Sequence, residues 1–174
     1  HGLNTIVAHI DTPREAGRAA FIGQSGWASE NFIVAGTDRG LRLSKVISCG
    51  NQADLTVTDY LDYFGHDPET RYIGIYMEGL TDGQEFFQTA REVSIRKPVV
   101  IWKAGVTGAG ARAVASHTAS LAGSDLVWGA VFNQAGVIRA VQFDEILDFA
   151  IAFGCPFLPK GNRVGIIGKA GLGH

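Results

Sequence analysis

The feature that most constrains this chain is a repeating alternation. Short apolar runs, each closed by small or polar residues, are separated by stretches with helical patterning. The runs are Arg18–Gly23, Leu43–Ser48, Tyr72–Met77, Pro98–Trp102 and Val137–Ala140. They are too short for buried helices and are bounded by turn residues, so they read as strands. Trp27–Asp38, Thr56–Phe64, Gly83–Ile95, Ser124–Ala135 and Phe143–Phe153 read as helices, with Leu55, Tyr60, Leu61 and Phe64 as the apolar face of the second. His66-Asp67-Pro68-Glu69 ends that helix, and proline opens the fourth strand, where its missing donor is tolerated.

Strands that are apolar along their whole length must be covered on both faces, and strand–helix alternation then implies parallel pairing with right-handed crossovers. The expected fold class is therefore α/β: a flavodoxin-like, three-layer αβα arrangement with a parallel five-stranded sheet. Composition agrees. With 174 residues, 46% of them hydrophobic and 18% charged, the chain is a globule of about one domain and not a disordered segment. Its 23 glycines, about twice the average usage, follow no collagen period and point to tight turns and close backbone approaches.

Other classes fall away on charge and spacing. Fifteen basic against 17 acidic residues, with no long basic run, argue against a nucleic-acid partner. No apolar stretch approaches the roughly 18 residues of a membrane span. Cys49 and Cys155 form no metal-spaced pair, and the five histidines show no ligand spacing, so neither a disulfide scaffold nor a metal centre is expected. A reducing cytoplasm is the expected location.

In an open parallel sheet, ligands bind outside the carboxyl ends of the strands. Four turns should share that edge: Gln24-Ser25-Gly26, Cys49-Gly50-Asn51, Glu78-Gly79 and the Gly/Ala/Ser-rich stretch Lys103–Ser120. Gln24-Ser25-Gly26 leads straight into a helix, whose free N–H groups suit an anion such as phosphate; the alternative is that Ser25 simply caps that helix. No GxxxxGK[ST] or GxGxxG pattern occurs. His117 stands among small residues that leave room for a reactant, and neutral imidazole is a competent nucleophile; the alternative is a loop histidine making one hydrogen bond. Glu78 ends an apolar strand, where it either orients an imidazole or is simply solvated. Asp54, Asp59 and Asp62 read as the cap and outer face of a helix, Cys49 as a small buried hydrophobe, and Trp27, Trp102 and Trp128 as core.

Taken together, these segments resemble a known family. Gly17–Gly26 (GRAAFIGQSG), Val46–Asp54 (VISCGNQAD), Asp67-Pro68-Glu69-Thr70, Tyr76-Met77-Glu78-Gly79, Lys97–Ala104 (KPVVIWKA) and above all Gly110–Asp125 (GARAVASHTASLAGSD) are similar, in the same order, to the succinyl-CoA-synthetase-like flavodoxin domain of NDP-forming acyl-CoA synthetases. The resemblance runs from about residue 17 to 170. It implies the reversible reaction of acyl-CoA, phosphate and a nucleoside diphosphate to free acid, CoA and the triphosphate, by way of an acyl phosphate and a phosphohistidine. It identifies His117 as the phosphorylated residue, Glu78 as its stabilising carboxylate, and Gln24, Ser25 and Gly26 as the phosphate-binding helix start. CoA and ADP or ATP with Mg are the cofactors implied for the full-length enzyme.

The sequence departs from the family pattern at Ala119 and Gly23, where glycine and serine are usual, and at Cys49, where leucine is common. The resemblance also implies a domain order. Residues 1–16 are expected to be a linker from a CoA-binding domain, 17–160 the flavodoxin-like domain, and 161–174 the start of a second one, with Arg163–Gly168 as its first strand. The expected partners are acyl-CoA or acyl phosphate, the CoA-binding, second flavodoxin-like and ATP-grasp domains of the same protein, and a further copy in an oligomer. On this reading the 174 residues alone neither bind CoA tightly nor make ATP. The competing reading is an acyl-CoA-sensing domain fused to a protein acetyltransferase, without turnover.

Overall fold

Alternate residues of the interior strands face opposite helical layers, which is why these runs are apolar throughout. The computed structural model describes residues 15–105, 124–154, 161–163 and 165. Strands β1 (Ala19–Gly23), β2 (Leu43–Ser48), β3 (Tyr72–Met77), β4 (Val99–Lys103) and β5 (Ile138–Ala140) form one sheet in the order β2-β1-β3-β4-β5. Every neighbouring pair is parallel, as the alternation requires. Helices α1 (Gly26–Asp38), α2 (Val57–His66), α3 (Gly83–Ser94), α4 (Asp125–Ala135) and α5 (Phe143–Gly154) connect and cover the strands.

Two cores result, one on each face. Ala20, Ile22, Ile73, Ile75, Met77, Val99 and Ile101 pack against Leu61 and Phe64 of α2, Phe86, Ala90 and Val93 of α3, and Phe132 of α4. The intervening residues Ala19, Phe21, Tyr72 and Val100 pack against Phe32 of α1 and Ile146, Leu147 and Ala150 of α5. Phe21 and Phe32 stack with ring centroids 4.2 Å apart, an arrangement that adds about 0.5–1.5 kcal/mol beyond its buried area. Gly74 in the middle of β3 is there for space: a Cβ would come within 2.9 Å of Ile146 Cγ2.

Among the described residues, the five expected strands through Ala140 and the five expected helices occur, with shifted ends. Thr56 lies outside α2 as its N-cap and forms a reciprocal capping box with Asp59, while Leu55, expected on the apolar face, precedes the cap and is 48% exposed. Pro98 precedes β4 and contributes only its carbonyl, which accepts from Ile73 N–H. Lys103 belongs to the strand instead of the loop. β2 is an edge strand and only half-buried, which lets Ser44 and Lys45 sit within it; Lys45 Nζ donates to Asp67 at 2.8 Å and to Glu69 at 2.9 Å. Trp27, expected in the core, is 57% exposed on the first turn of α1, with its ring 5.9 Å from that of Phe143.

Among the described residues, no helix is long and apolar enough to cross a membrane. Residues 1–14, 106–123, 155–160, 164 and 166–174 lie outside the described set. Most of the expected linker, most of the strand expected at Arg163–Gly168 and most of the small-residue stretch Lys103–Ser120 fall there.

Candidate active site

The parallel sheet brings the turns after β1 to β4 to one edge, and hydrogen bonds tie them to one another. Cys49 N–H donates to Gly23 C=O at 2.9 Å, Gln24 N–H to Tyr76 C=O at 3.1 Å, and Ala104 N–H to Met77 C=O at 2.8 Å. These are the last backbone links before the chain leaves the sheet.

At the first turn, Ser25 occupies the N-cap of α1 with extended backbone (φ −125°, ψ 132°), yet its side chain makes no capping bond. The helical ladder starts with Ser29 N–H donating to Ser25 C=O at 3.1 Å, which leaves the N–H groups of Gly26, Trp27 and Ala28 at the open end. Ser29 Oγ also donates to Ser25 C=O, at 3.2 Å. A Cβ added at Gly26 would meet nothing within 4 Å among the described residues. No carboxylate lies in the first turn, so the positive end of the helix dipole is not neutralised there by its own residues. This is a geometry suited to an anion.

Gln24 takes a different part. Its backbone N–H goes to Tyr76, and its buried amide turns toward the β3 end, where Oε1 accepts from the N–H groups of Glu78 and Gly79, the latter at 2.9 Å. Nε2 donates to Gly79 C=O at 2.7 Å. Gln24 thus joins the helix start to Glu78, while the open N–H groups belong to the residues that follow it.

Glu78 is 8% exposed, and Tyr76 Oη donates to its Oε1 at 3.2 Å. Burial, with the nearby Glu78 charge and this hydrogen bond, pushes the Tyr76 phenol up to about 12, so it stays a donor across the physiological range. Beneath the turn, Lys103 is 3% exposed; Nζ donates to Glu78 C=O at 2.8 Å and Ala104 C=O at 2.6 Å, and lies 5.2 Å from the Trp128 ring centroid. Burial pushes its ammonium below the usual lysine range; Glu78 opposes that shift and Arg139 adds to it. The carbonyls and the ring face are the partners a buried cation needs.

Cys49 is inert here. Its thiol is pushed up to about 11 by burial and donates to Gly23 C=O at 3.4 Å. Asp59 completes the capping box of α2 by accepting from Thr56 N–H, and Asp62 sits 3.4 Å from His66 on the same helix. Among the described residues, no three His, Cys, Asp or Glu side chains group as a metal site requires.

Of the expected site residues, Gln24, Ser25, Gly26 and Glu78 share this edge, and Gln24 touches the Glu78 backbone directly. His117 lies outside the described residues. Tyr76 and Lys103 were not singled out from the sequence. Both carried a signal: Tyr76 lies two positions before Glu78 and so on the same face, and Lys103 follows Val99 and Ile101 on the inward face of a buried strand.

Comparison with known proteins accords with this geometry. The model of the succinyl-CoA ligase like flavodoxin domain matches residues 16–153. The chain is 44% identical over 160 residues to the alpha subunit of ADP-forming acetate–CoA ligase II of Pyrococcus furiosus, covering 92% of this chain and 35% of that one. It is 47% identical over 163 residues to ADP-forming acetate–CoA ligase I of Archaeoglobus fulgidus, covering 91% of this chain and 23% of the relative. Among solved structures, the dinucleotide forming acetyl-coenzyme A synthetase 1 of Ca. Korarchaeum cryptofilum, in complex with phosphate and ADP, superposes with a TM-score of 0.79 at 38% identity, covering 86% of this chain and 33% of that one. The chain thus spans about a third or less of the length of these relatives. It belongs to the family of succinyl-CoA ligase like flavodoxin domains.

Proposed function

We propose that this chain is the phosphohistidine-bearing domain of an NDP-forming acyl-CoA synthetase, with His117 as the residue phosphorylated. The observation that carries the reading is the joined edge itself: an open helix start at Ser25–Gly26 linked through Gln24 to the backbone of the turn that bears the buried Glu78. The similarity to ADP-forming ligases supports it, as does the phosphate bound in the Korarchaeum relative.

The chemistry follows from those groups. The N–H groups of Gly26, Trp27 and Ala28 hold a phosphoryl group at the helix start and stabilise charge as it develops there. A ring nitrogen of His117 attacks the phosphorus of an acyl phosphate; the N–P bond forms as the P–O bond to the acyl group breaks, and the carboxylate leaves as free acid. Glu78 favours the positively charged ring that results. Return of the phosphoryl group to a nucleoside diphosphate regenerates the imidazole.

At this edge the described residues offer groups that suit an anion. CoA, the nucleotide and its Mg ion are assigned to other segments or subunits of the full-length protein, and no step here is routed through a metal. A reducing cytoplasm is the setting this reading implies. A regulatory, non-catalytic role has no support among the named relatives, which are ligases.

The test is ATP formation from acetyl-CoA, phosphate and ADP by the full-length protein. The reading expects turnover there and none from the 174 residues alone. Turnover by the isolated chain would contradict the division of labour, and no turnover with any short acyl-CoA by the full-length protein would contradict the reading.

A further inference from the structure

The sheet ladder stops one residue short of Glu78. Its last registered pairs at this end are Gly23 with Tyr76 and Met77 with Lys103. Beyond them, side chains take over from backbone. Glu78 N–H and Gly79 N–H both donate to Gln24 Oε1, Gly79 C=O accepts from Gln24 Nε2, and Glu78 C=O accepts from Lys103 Nζ. All four backbone polar groups of this two-residue turn are therefore held by two side chains, one from each neighbouring strand end.

The residue types match the task. A carboxamide is the side chain that offers an acceptor for two N–H groups and a donor for a carbonyl in one rigid fork. An ammonium carries donors only, and two carbonyls, Glu78 and Ala104, are what it faces. Both side chains are buried, so these bonds form away from competing water and fix the turn more firmly than exposed ones would. Position matters as well. Gln24 is followed directly by Ser25 and Gly26, the open helix start. Lys103 is followed by Ala104 and by Gly105 at φ +75°, where the described chain departs toward the segment carrying His117.

We propose that Gln24 and Lys103 are positioning residues that clamp the Glu78–Gly79 turn, setting the Glu78 carboxylate relative to the anion-binding helix start on one side and the end of β4 on the other. The clamp acts through Glu78. It rests on the reading of Glu78 and His117 given above.

The experiment is a single-turnover measurement of phosphoenzyme formation from labelled ATP in the full-length protein, on wild type, Gln24→Met, Lys103→Met, Glu78→Gln and the double variants with Glu78→Gln. The clamp predicts a 10- to 100-fold slower transfer in each methionine variant with half-saturating ATP unchanged. It further predicts that Gln24→Met or Lys103→Met adds little to Glu78→Gln, because each acts through the same carboxylate. Where Gln24→Met fails to fold, Gln24→Glu preserves the acceptor and removes the donor to Gly79, and the same slowing is expected. Wild-type rates in the folded variants, or losses that multiply with that of Glu78→Gln, overturn the clamp while leaving the parent reading standing. A wild-type protein that takes no label overturns both.

Discussion

Tyr76, near the end of β3, donates its phenolic proton to Glu78, the first residue past that strand, at 3.2 Å between Oη and Oε1. The alternation of the strand puts both side chains on one face, and the Tyr76 ring is fixed by an edge contact with Trp102 at 5.0 Å between centroids. The carboxylate is thereby held by a ring that cannot easily turn. Replacing Tyr76 with Phe keeps the packing and removes only the hydrogen bond. A loss of about 1 kcal/mol, a several-fold drop in phosphoenzyme formation, is expected with thermal stability nearly unchanged. Rapid-quench labelling alongside a thermal melt reads both quantities, and an unchanged rate removes Tyr76 from the site.

Gly23 and Ser29 share one space. A Cβ at Gly23 would lie 2.3 Å from Ser29 Oγ, while its next neighbours, Ser25 O and the Phe21 ring, are at 3.1 and 3.2 Å. The Ser29 hydroxyl fills the space beside Gly23 and donates to Ser25 C=O at 3.2 Å. Gly23→Ala should cost about 1–3 kcal/mol, as overpacking does, and Ser29→Ala should recover about half of that. A denaturant-melt cycle over the four proteins measures the coupling; strictly additive effects would show that the two do not compete.

Acid stability should depend on Asp67. Burial alone would raise its carboxyl, but hydrogen bonds from Lys45 and Thr70, a backbone N–H and the Lys45 charge outweigh it and hold the group below its ordinary 3.8. A carboxyl depressed in the folded state is harder to protonate there than in the unfolded chain. Its contribution is complete above the ordinary value and fades as pH falls through the folded one. Asp67→Asn should lower stability at pH 7 by about 1–2 kcal/mol and flatten the loss of stability below about pH 4. Urea melts from pH 7 to 2 give both, and parallel curves for the two proteins would contradict the assignment.

How much of this was legible beforehand follows the range of the forces involved. Apolar runs and helical patterning depend on local sequence, so strand order class and pairing direction could be read from them. Leu55 and Trp27 were misplaced because hydrophobicity does not report the cap at Thr56 or the solvent beside the start of α1. At the site, Glu78 and Ser25–Gly26 were visible because each sits where a strand ends. The bond from Gln24 to Gly79 spans 55 residues of chain, and the bond from Lys103 to Glu78 spans 25; no local pattern announces such pairs. Gln24 read as part of the phosphate-binding turn, and no local pattern announced that its amide also bonds the backbone of Glu78 and Gly79.

The central claim is that His117 carries the phosphoryl group at this edge. Its most direct measurement is incubation of the full-length protein with γ-labelled ATP, followed by acid and base treatment and mapping of the label. The account predicts acid-labile, base-stable label on His117, absent in His117→Asn and reduced in Glu78→Gln with the fold retained. Label that survives unchanged in His117→Asn, or a wild-type protein that takes up none, would contradict it.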